Sequence, residues 1–276
     1  MGSESRRVLR TRRARQSGAE PAPTSERTAT VHLREETLMS NSPKNVAVIL
    51  PAAGSGRRFG REENKLFAAL AGEPIWIVAA RRLRVHPRVS RIVMPVSDQD
   101  RPRFEGDFAD HVRKLGIELV AGGAERTESV LSGLSHVAED GSVGLIAIHD
   151  AARPLVRRDD LDAVFAKADQ TGAAILAAPV TATVKQSLDA GVSCRTVDRS
   201  TLWLAQTPQV FALDVLQRAY AKHRGRPATD DAELVTRIGV DVALVQGAPD
   251  NLKITHPNDL VVAEAILKTQ IESHHA

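Results

Sequence analysis

Apolar residues come in short unbroken runs, separated by longer stretches in which they recur every three or four positions. Val46-Ala47-Val48-Ile49-Leu50 precedes Pro51. Five apolar residues in a row are too few for a buried helix and lack the polar alternation of a strand with one wet face. The run reads as a strand buried on both faces. Arg91-Ile92-Val93-Met94-Pro95-Val96, Ile117-Glu118-Leu119-Val120, Leu145-Ile146-Ala147-Ile148, residues 173–178 and a run from Val242 to Val245 read the same way. Between them the period lengthens. Pro74 suits the first turn of a helix reaching about Val85, where His86-Pro87 stops it. Val130, Leu131, Leu134 and Val137 repeat at helical spacing. A helix from about Asp159 to Gln170 and another starting near Pro257 complete the set. Strand and helix alternate, which predicts an α/β fold with a doubly wound, mostly parallel, Rossmann-like sheet. Ligands of such sheets bind beyond the carboxyl ends of the strands.

One stretch breaks the alternation. β-like runs at 183–187 and 193–197 flank Asp189-Ala190-Gly191, a turn signal. They predict a β-arm projecting from the sheet at about residues 180–206. A lone two-stranded ribbon is marginally stable in water, so the arm is expected to pack against something, most simply a second subunit.

Composition adds limits. The chain has 276 residues, 42% hydrophobic and 26% charged, as ordinary globular proteins do. Residues 44–276 are expected to form a single domain, preceded by an extension at 1–43. The single cysteine, Cys194, excludes an internal disulfide and a cysteine metal cluster. No apolar stretch approaches the roughly 20 residues of a membrane span. The chain therefore reads as soluble and cytoplasmic, with no membrane partner. The formal charge is only +3, and much of the basic character lies in front, where Arg6, Arg7, Arg10, Arg12, Arg13 and Arg15 crowd together. They suggest a nucleic-acid arm or an organellar targeting segment. Against the second stand Glu4, Glu20, Glu26, Glu35 and Glu36, and no apolar run follows as in a secretory signal. The segment reads instead as a disordered or non-native extension, with Met39 as a candidate working start and no nucleic-acid partner.

The first candidate site follows the first strand. Pro51-Ala52-Ala53-Gly54-Ser55-Gly56-Arg57-Arg58-Phe59-Gly60 leads to Lys65. Small residues let the backbone and its N–H groups approach a bulky anion, while guanidinium and ammonium groups meet charge along a phosphate chain. A Walker-type loop is excluded, since no glycine precedes a Lys-Ser or Lys-Thr pair at the required spacing. A dinucleotide fingerprint fails because Phe59 stands where its third glycine belongs. A tight strand-to-helix turn with surface arginines is the alternative that spacing alone leaves open.

This segment resembles the signature of sugar-phosphate nucleotidyltransferases, and in particular of the cytidylyltransferases that act on 2-C-methyl-D-erythritol 4-phosphate in the non-mevalonate isoprenoid pathway. Further motifs follow in the family's order: Gly122-Gly123-Ala124-Glu125-Arg126-Thr127-Glu128-Ser129-Val130, His149-Asp150-Ala151-Ala152-Arg153-Pro154, Thr207-Pro208-Gln209, Thr229-Asp230-Asp231-Ala232 and Asn251-Leu252-Lys253-Ile254-Thr255. The resemblance spans Val46 to Leu267.

The resemblance implies a fold of the nucleotide-diphospho-sugar transferase type and transfer of CMP from CTP to the polyol phosphate, with release of pyrophosphate. It assigns Pro51, Ala52, Ala53, Gly54 and Gly56 to the triphosphate, and Gly123 and Ser129 to the cytosine and ribose side. Asp150 and Ala151 also belong to the nucleotide site. Arg58 and Lys65 stabilise the charged transition state, and Lys253 and Arg199 aim the attacking phosphate. Asp150, Arg153, Thr183, Thr207 and Thr229 complete the polyol site. Mg²⁺ or another divalent cation rides mainly on the CTP phosphates, with Asp150 as its protein contact. A homodimer is implied, each arm carrying Thr183 and Arg199 to the partner's site. His149 has no implied role and reads as a packed or capping histidine. Ribitol 5-phosphate cytidylyltransferases are the nearest alternative, but they tend to carry valine where Ala152 stands. They also tend to differ around the Thr229 motif, so both features favour the methylerythritol substrate. Ala124 departs from members with aspartate there, which matters little if backbone makes that contact. A non-catalytic nucleotide- or nucleic-acid-binding protein is opposed by the intact set of Arg58, Lys65, Asp150, Arg153 and Lys253.

Overall fold

The computed structural model describes residues 45–54, 64–139, 142–223 and 225–272. The extension at 1–43 and the loop positions Gly56, Arg57 and Arg58 lie outside the described residues.

β1 (Val46–Ile49) runs through the middle of a seven-stranded sheet and is buried along its whole length. Its residues alternate between two cores, as a period of two requires. Val46 and Val48 point to one face and Ala47 and Ile49 to the other. That is why the run carries no polar alternation. After a 3₁₀ turn at Lys65–Phe67, a two-residue pair β2 (Ala69–Leu70) and β3 (Glu73–Pro74) leads into α1 (Ile75–Arg84), with Pro74 at its N-cap. β4 (Val89–Val96) then pairs parallel with β1. Two short helices, α2 (Arg101–Glu105) and α3 (Ala109–Leu115), bring the chain to β5 (Ile117–Ala121), which closes one edge.

α4 (Arg126–Ala138) returns across the sheet, and β6 (Leu145–Ile148) pairs parallel with β1 on its other side. The chain thus leaves β1 in one direction and comes back in the other. The carboxyl ends of β1 and β6 meet at a topological switch point. α5 (Arg158–Thr171), β7 (Ala173–Pro179) and, at the far edge, β11 (Ala243–Gln246) continue the parallel pattern. α1 and α5 cover one face, with Trp76, Leu83 and Phe165 fully buried. On the opposite face α4 contributes Val130, Leu134 and Val137. Leu131, read from the sequence as part of that stripe, is 45% exposed. One residue on from Val130 is a rotation of about 100° around a helix, which carries it off the buried face.

The largest difference from the sequence reading is β10 (Trp203–Ala212), a ten-residue strand antiparallel to both β6 and β7. Pro208 and three polar side chains hide it in the sequence. Proline costs a central strand a ladder hydrogen bond. Here the pairing with β7 shifts register between Ala205 and Gln209, so Pro208 falls in the irregularity. The helices α6 (Leu213–Lys222) and α7 (Asp231–Thr236) follow, and α8 (Asn258–Glu272) packs Ala263 and Leu267 onto Leu70, Ile75 and Leu155. The ribbon forms as expected, from β8 (Val184–Ser187) and β9 (Cys194–Val197), with Ala190 and Gly191 at positive φ in its turn. Trp203 to Gln206, placed in the arm from sequence, belong instead to β10 of the main sheet.

Candidate active site

A cleft of about 340 Å³ opens at the switch point, within the size range of small-molecule sites. Its first wall is the chain leaving β1. The Ala52 N–H donates to the Pro95 carbonyl at 2.8 Å, so backbone order continues past the strand through Pro51 to Gly54. Beside it runs the exit of β5. A Cβ on Gly122 would stand 2.4 Å from Cβ of Ala53 and 3.1 Å from the Val96 carbonyl oxygen. Only glycine lets the two exits lie this close. At Gly123 a Cβ would meet that of Glu128 at 2.2 Å. Glu128 turns back to accept the Ala124 N–H at 2.8 Å and the Glu125 N–H at 3.2 Å, capping α4. Ser129 Oγ accepts the Gly123 N–H at 3.0 Å and donates to the Glu125 carbonyl at 3.2 Å. The corner of Gly123 and Ser129 is therefore preformed at the cleft wall, and the amide of Ala124 is already engaged by Glu128.

The opposite wall carries the cations. Asn64 is buried. It donates to the Ala52 carbonyl at 3.3 Å and to Asp100 at 2.9 Å, and accepts the Leu66 N–H at 3.1 Å. This tie points Lys65 across the cleft, where Nζ donates to the Ile254 carbonyl at 2.7 Å. Next to Ile254, Lys253 Nζ reaches Oδ2 of Asp150 at 2.7 Å. Asp150 follows β6 and also faces Arg126 Nε at 3.7 Å and Arg153 Nε at 3.9 Å. Burial alone would raise the Asp150 pKa. Lys253, Arg126 and Arg153 outweigh it and bring it down to about 2. Burial likewise opposes the charge of Arg126, but Asp231 and Asp150 hold its pKa above the ordinary value. Strand ends distant in sequence thus bring the Asp150 carboxylate and several cations to the rim of a cleft walled by backbone, an arrangement suited to holding a polyanion.

Ten residues expected from sequence line this cleft. They are Pro51, Ala52, Ala53 and Gly54 of the β1 exit, Gly123 and Ser129 at the corner, Asp150 and Ala151 after β6, and Lys65 and Lys253. Five others lie outside its lining. Arg153 donates to the Asn251 carbonyl at 2.6 Å and the Ala205 carbonyl at 3.4 Å, bracing the loop behind Asp150. Thr207 is buried in β10 and accepts the Asp150 N–H at 3.0 Å. Thr229 bonds Glu233 at 3.1 Å in the turn before α7. Thr183 and Arg199 are exposed at the root of the ribbon, where Arg199 donates to the Thr181 carbonyl. Arg58 and Gly56 lie outside the described residues. Sequence reasoning missed Asn64 and Arg126. Arg126 stood in the Gly122–Val130 motif, but nothing local shows which acid it meets.

Asp150 is the only carboxylate in the expected site set, and among the described residues no cluster of three His, Cys, Asp or Glu could hold a metal ion. With Oδ2 engaged by Lys253, that donor set fits a cation borne on phosphate oxygens rather than a protein cage.

His149 is fully buried, as a packed histidine should be. Because Thr207 Oγ1 accepts the Asp150 N–H, its own O–H is available to donate to Nδ1 of His149 at 3.2 Å. The ring's Nε2–H then donates to the Arg153 carbonyl at 2.9 Å. This network assigns one neutral tautomer. Burial pushes the pKa down from 6.5 to about 4. Between those values the unfolded chain binds a proton that the folded chain refuses, so stability falls as pH drops through the window. The linked loss is roughly 3 kcal/mol from pH 7 to pH 4. NMR titration of the His149 ring, identified by its absence in His149→Gln, is expected to show a midpoint near 4. A midpoint at the ordinary value would mean that water reaches the ring.

The chain is similar to known proteins along most of its length. The family model for 2-C-methyl-D-erythritol 4-phosphate cytidylyltransferase matches residues 46–269. The enzyme of that name from Rhodopirellula baltica is 52% identical over 236 residues, covering 82% of this chain and 96% of the relative. That from Bacillus licheniformis is 40% identical over 233 residues, 84% and 99% of the two chains. Among solved structures, a 4-diphosphocytidyl-2C-methyl-D-erythritol synthase superposes with a TM-score of 0.69 at 32% identity, covering 83% of this chain and all of that one. The 2-C-methyl-D-erythritol 4-phosphate cytidylyltransferase of Thermus thermophilus gives 0.65 at 34% identity, over 81% and 99% of the chains.

Proposed function

The chain belongs to the 2-C-methyl-D-erythritol 4-phosphate cytidylyltransferase family, and on that premise we propose how its residues carry out the transfer of CMP from CTP to 2-C-methyl-D-erythritol 4-phosphate. A phosphate oxygen of the polyol phosphate forms a bond to the α-phosphorus of CTP, and the bond from that phosphorus to the bridging oxygen breaks as pyrophosphate leaves. The nucleophile is already anionic near neutral pH, so no general base is required. Bringing two polyanions into line is the difficulty, and catalysis is mostly positioning and charge stabilisation.

The observation that carries this reading is the convergence of Lys65, Lys253 and Asp150 on one cleft beside the β1 exit. The Gly123–Ser129 corner receives the cytosine and ribose, and the backbone of Ala53 and Gly54, past the Ala52 N–H that is held by Pro95, meets the triphosphate. Lys65 meets charge on the α-phosphate, and Arg58 is assigned beside it from the motif alone. Asp150 receives the polyol hydroxyls, and Lys253 the attacking phosphate. Asp150 is the residue that would hold Mg²⁺ beside the nucleotide, and the ion would supply neutralisation of charge on the triphosphate. Arg153, Thr207 and Thr229 serve the polyol from the second row, by holding Asp150 and the turns around it.

Thr183 and Arg199 act on the site of a second copy. Leu188 and Val192 of the ribbon, and Leu204 just beyond it, are 60%, 89% and 61% exposed, large apolar side chains that a homodimer interface could bury. No described helix is long and apolar enough to cross a membrane.

The test is pyrophosphate release from CTP and Mg²⁺ with a panel of polyol phosphates. Methylerythritol 4-phosphate is expected to exceed ribitol 5-phosphate in kcat/KM by at least about 10²-fold, a gap that binding groups matched to one polyol can supply. Equal rates would reassign the substrate, and no release with any polyol would remove the enzymatic reading.

A further inference from the structure

Arg126 opens α4 and lines the cleft, yet its guanidinium is turned inward. Nη1 stands 2.7 Å from Oδ2 of Asp231, in ion-pair contact, and Nε lies 3.7 Å from Oδ1 of Asp150. Asp231 is fully buried and held from several sides. Its Oδ1 accepts the Tyr220 O–H at 2.6 Å. Its backbone N–H donates to Oε1 of Gln209 at 3.1 Å, and the Ala232 N–H donates to the same oxygen at 3.0 Å. Gln209 lies in β10 opposite Ile148, the last residue of β6 before His149 and Asp150. Asp231 is thus fixed to the same sheet that carries Asp150. A planar guanidinium gripped at one end by a rigid carboxylate has the direction of its other edge set for it.

That edge faces the Asp150 oxygen that Lys253 does not use. Lys253 holds Oδ2 at 2.7 Å. An incoming phosphate competes for the same ammonium, and a carboxylate this enclosed is costly to leave without a cation. Arg153 is committed to the Asn251 and Ala205 carbonyls, and its Nε is 3.9 Å from Asp150. We propose that Arg126 is a positioning residue: held by Asp231, which Tyr220 in turn anchors, it keeps the Asp150 carboxylate in place while Lys253 turns to the attacking phosphate. The inference rests on the roles given above to Asp150 and Lys253.

Steady-state kinetics and thermal unfolding of Arg126→Gln, Arg126→Lys and Tyr220→Phe test it. Arg126→Gln is expected to lower kcat by about 10²-fold and raise KM for the polyol phosphate, with KM for CTP within about threefold, as misplacement of a substrate-binding group should. Arg126→Lys keeps the charge but loses the fork that spans two acids, so it should recover less than about a tenth of kcat. Tyr220→Phe, buried and outside the cleft lining, should lower kcat several-fold with KM for CTP unchanged. The clamp is refuted if Arg126→Gln retains kcat within threefold, if Arg126→Lys restores it fully, or if the loss tracks thermal stability or KM for CTP. Should Arg126→Gln fail to fold, Tyr220→Phe decides, and an unchanged kcat refutes the clamp. A wild-type chain inactive on every polyol phosphate sinks the proposed function itself. An active wild type with an unaffected Arg126→Gln sinks only the clamp.

Discussion

Lys65→Ala is expected to fold as the parent chain does and to lose turnover by on the order of 10²- to 10³-fold. The two effects separate because the ammonium contributes differently to each. In the folded chain Lys65 is half-buried and donates to the Ile254 carbonyl at 2.7 Å. That carbonyl belongs to the fully buried Ile254, so losing the bond should cost stability about 1–3 kcal/mol, too little to unfold the domain. In the proposed reaction the same ammonium would meet charge developing at the α-phosphate inside a partly enclosed site, where a preorganised contact is worth about 3–4 kcal/mol. Thermal unfolding beside pyrophosphate release reads both. A near-wild-type kcat would take the β1 loop out of the mechanism, whereas a collapsed melting temperature would make Lys65 a structural tie. Lys65→Arg is expected to fall between, since its charge remains but its geometry changes.

Mixing Lys65→Ala and Arg199→Ala subunits, each nearly inactive alone, is expected to restore about a quarter of wild-type activity. Random exchange makes half of the dimers mixed, and one of the two sites in each mixed dimer then combines an intact Lys65 with an intact Arg199. The basis is spatial. Lys65 lines the cleft, while Arg199 sits exposed at the root of the ribbon, bonded to Thr181 and absent from that lining. Exposed Val192 and Leu204 supply the surface a partner would cover. No recovery, with subunit exchange proven by mass, would mean that each site is built from one chain.

Several parts of the molecule were open to reading before any coordinates. β1, β4 and β6 announce themselves because a strand covered on both faces has no reason to carry polar residues. Pro51 to Gly54, Asp150 and Lys253 stand out because chemistry at strand ends draws on small and charged residues in motifs. β10 was hidden for the converse reason. Gln206, Thr207 and Gln209 are buried there, and each is matched to a polar partner that pattern reading cannot see: Gln206 to the Ala248 carbonyl, Thr207 to the Asp150 N–H, and Gln209 to the start of α7.

By itself, then, the sequence determined the class of fold, the order of its parallel strands along the chain and the kinds of group at the site. These follow from local periodicity and side-chain chemistry, which need no knowledge of distant contacts. Only the tertiary structure decided which groups meet. It joined Lys253 to Asp150, Lys65 to the Ile254 carbonyl and Arg126 to Asp231, and it drew Arg153 and Thr207 back from the cleft into support. Those pairings depend on strand order and on an antiparallel β10 inserted between β6 and β7. A buried charge or polar group takes whichever partner the packed sheet brings within reach, and neighbours in the chain do not specify it.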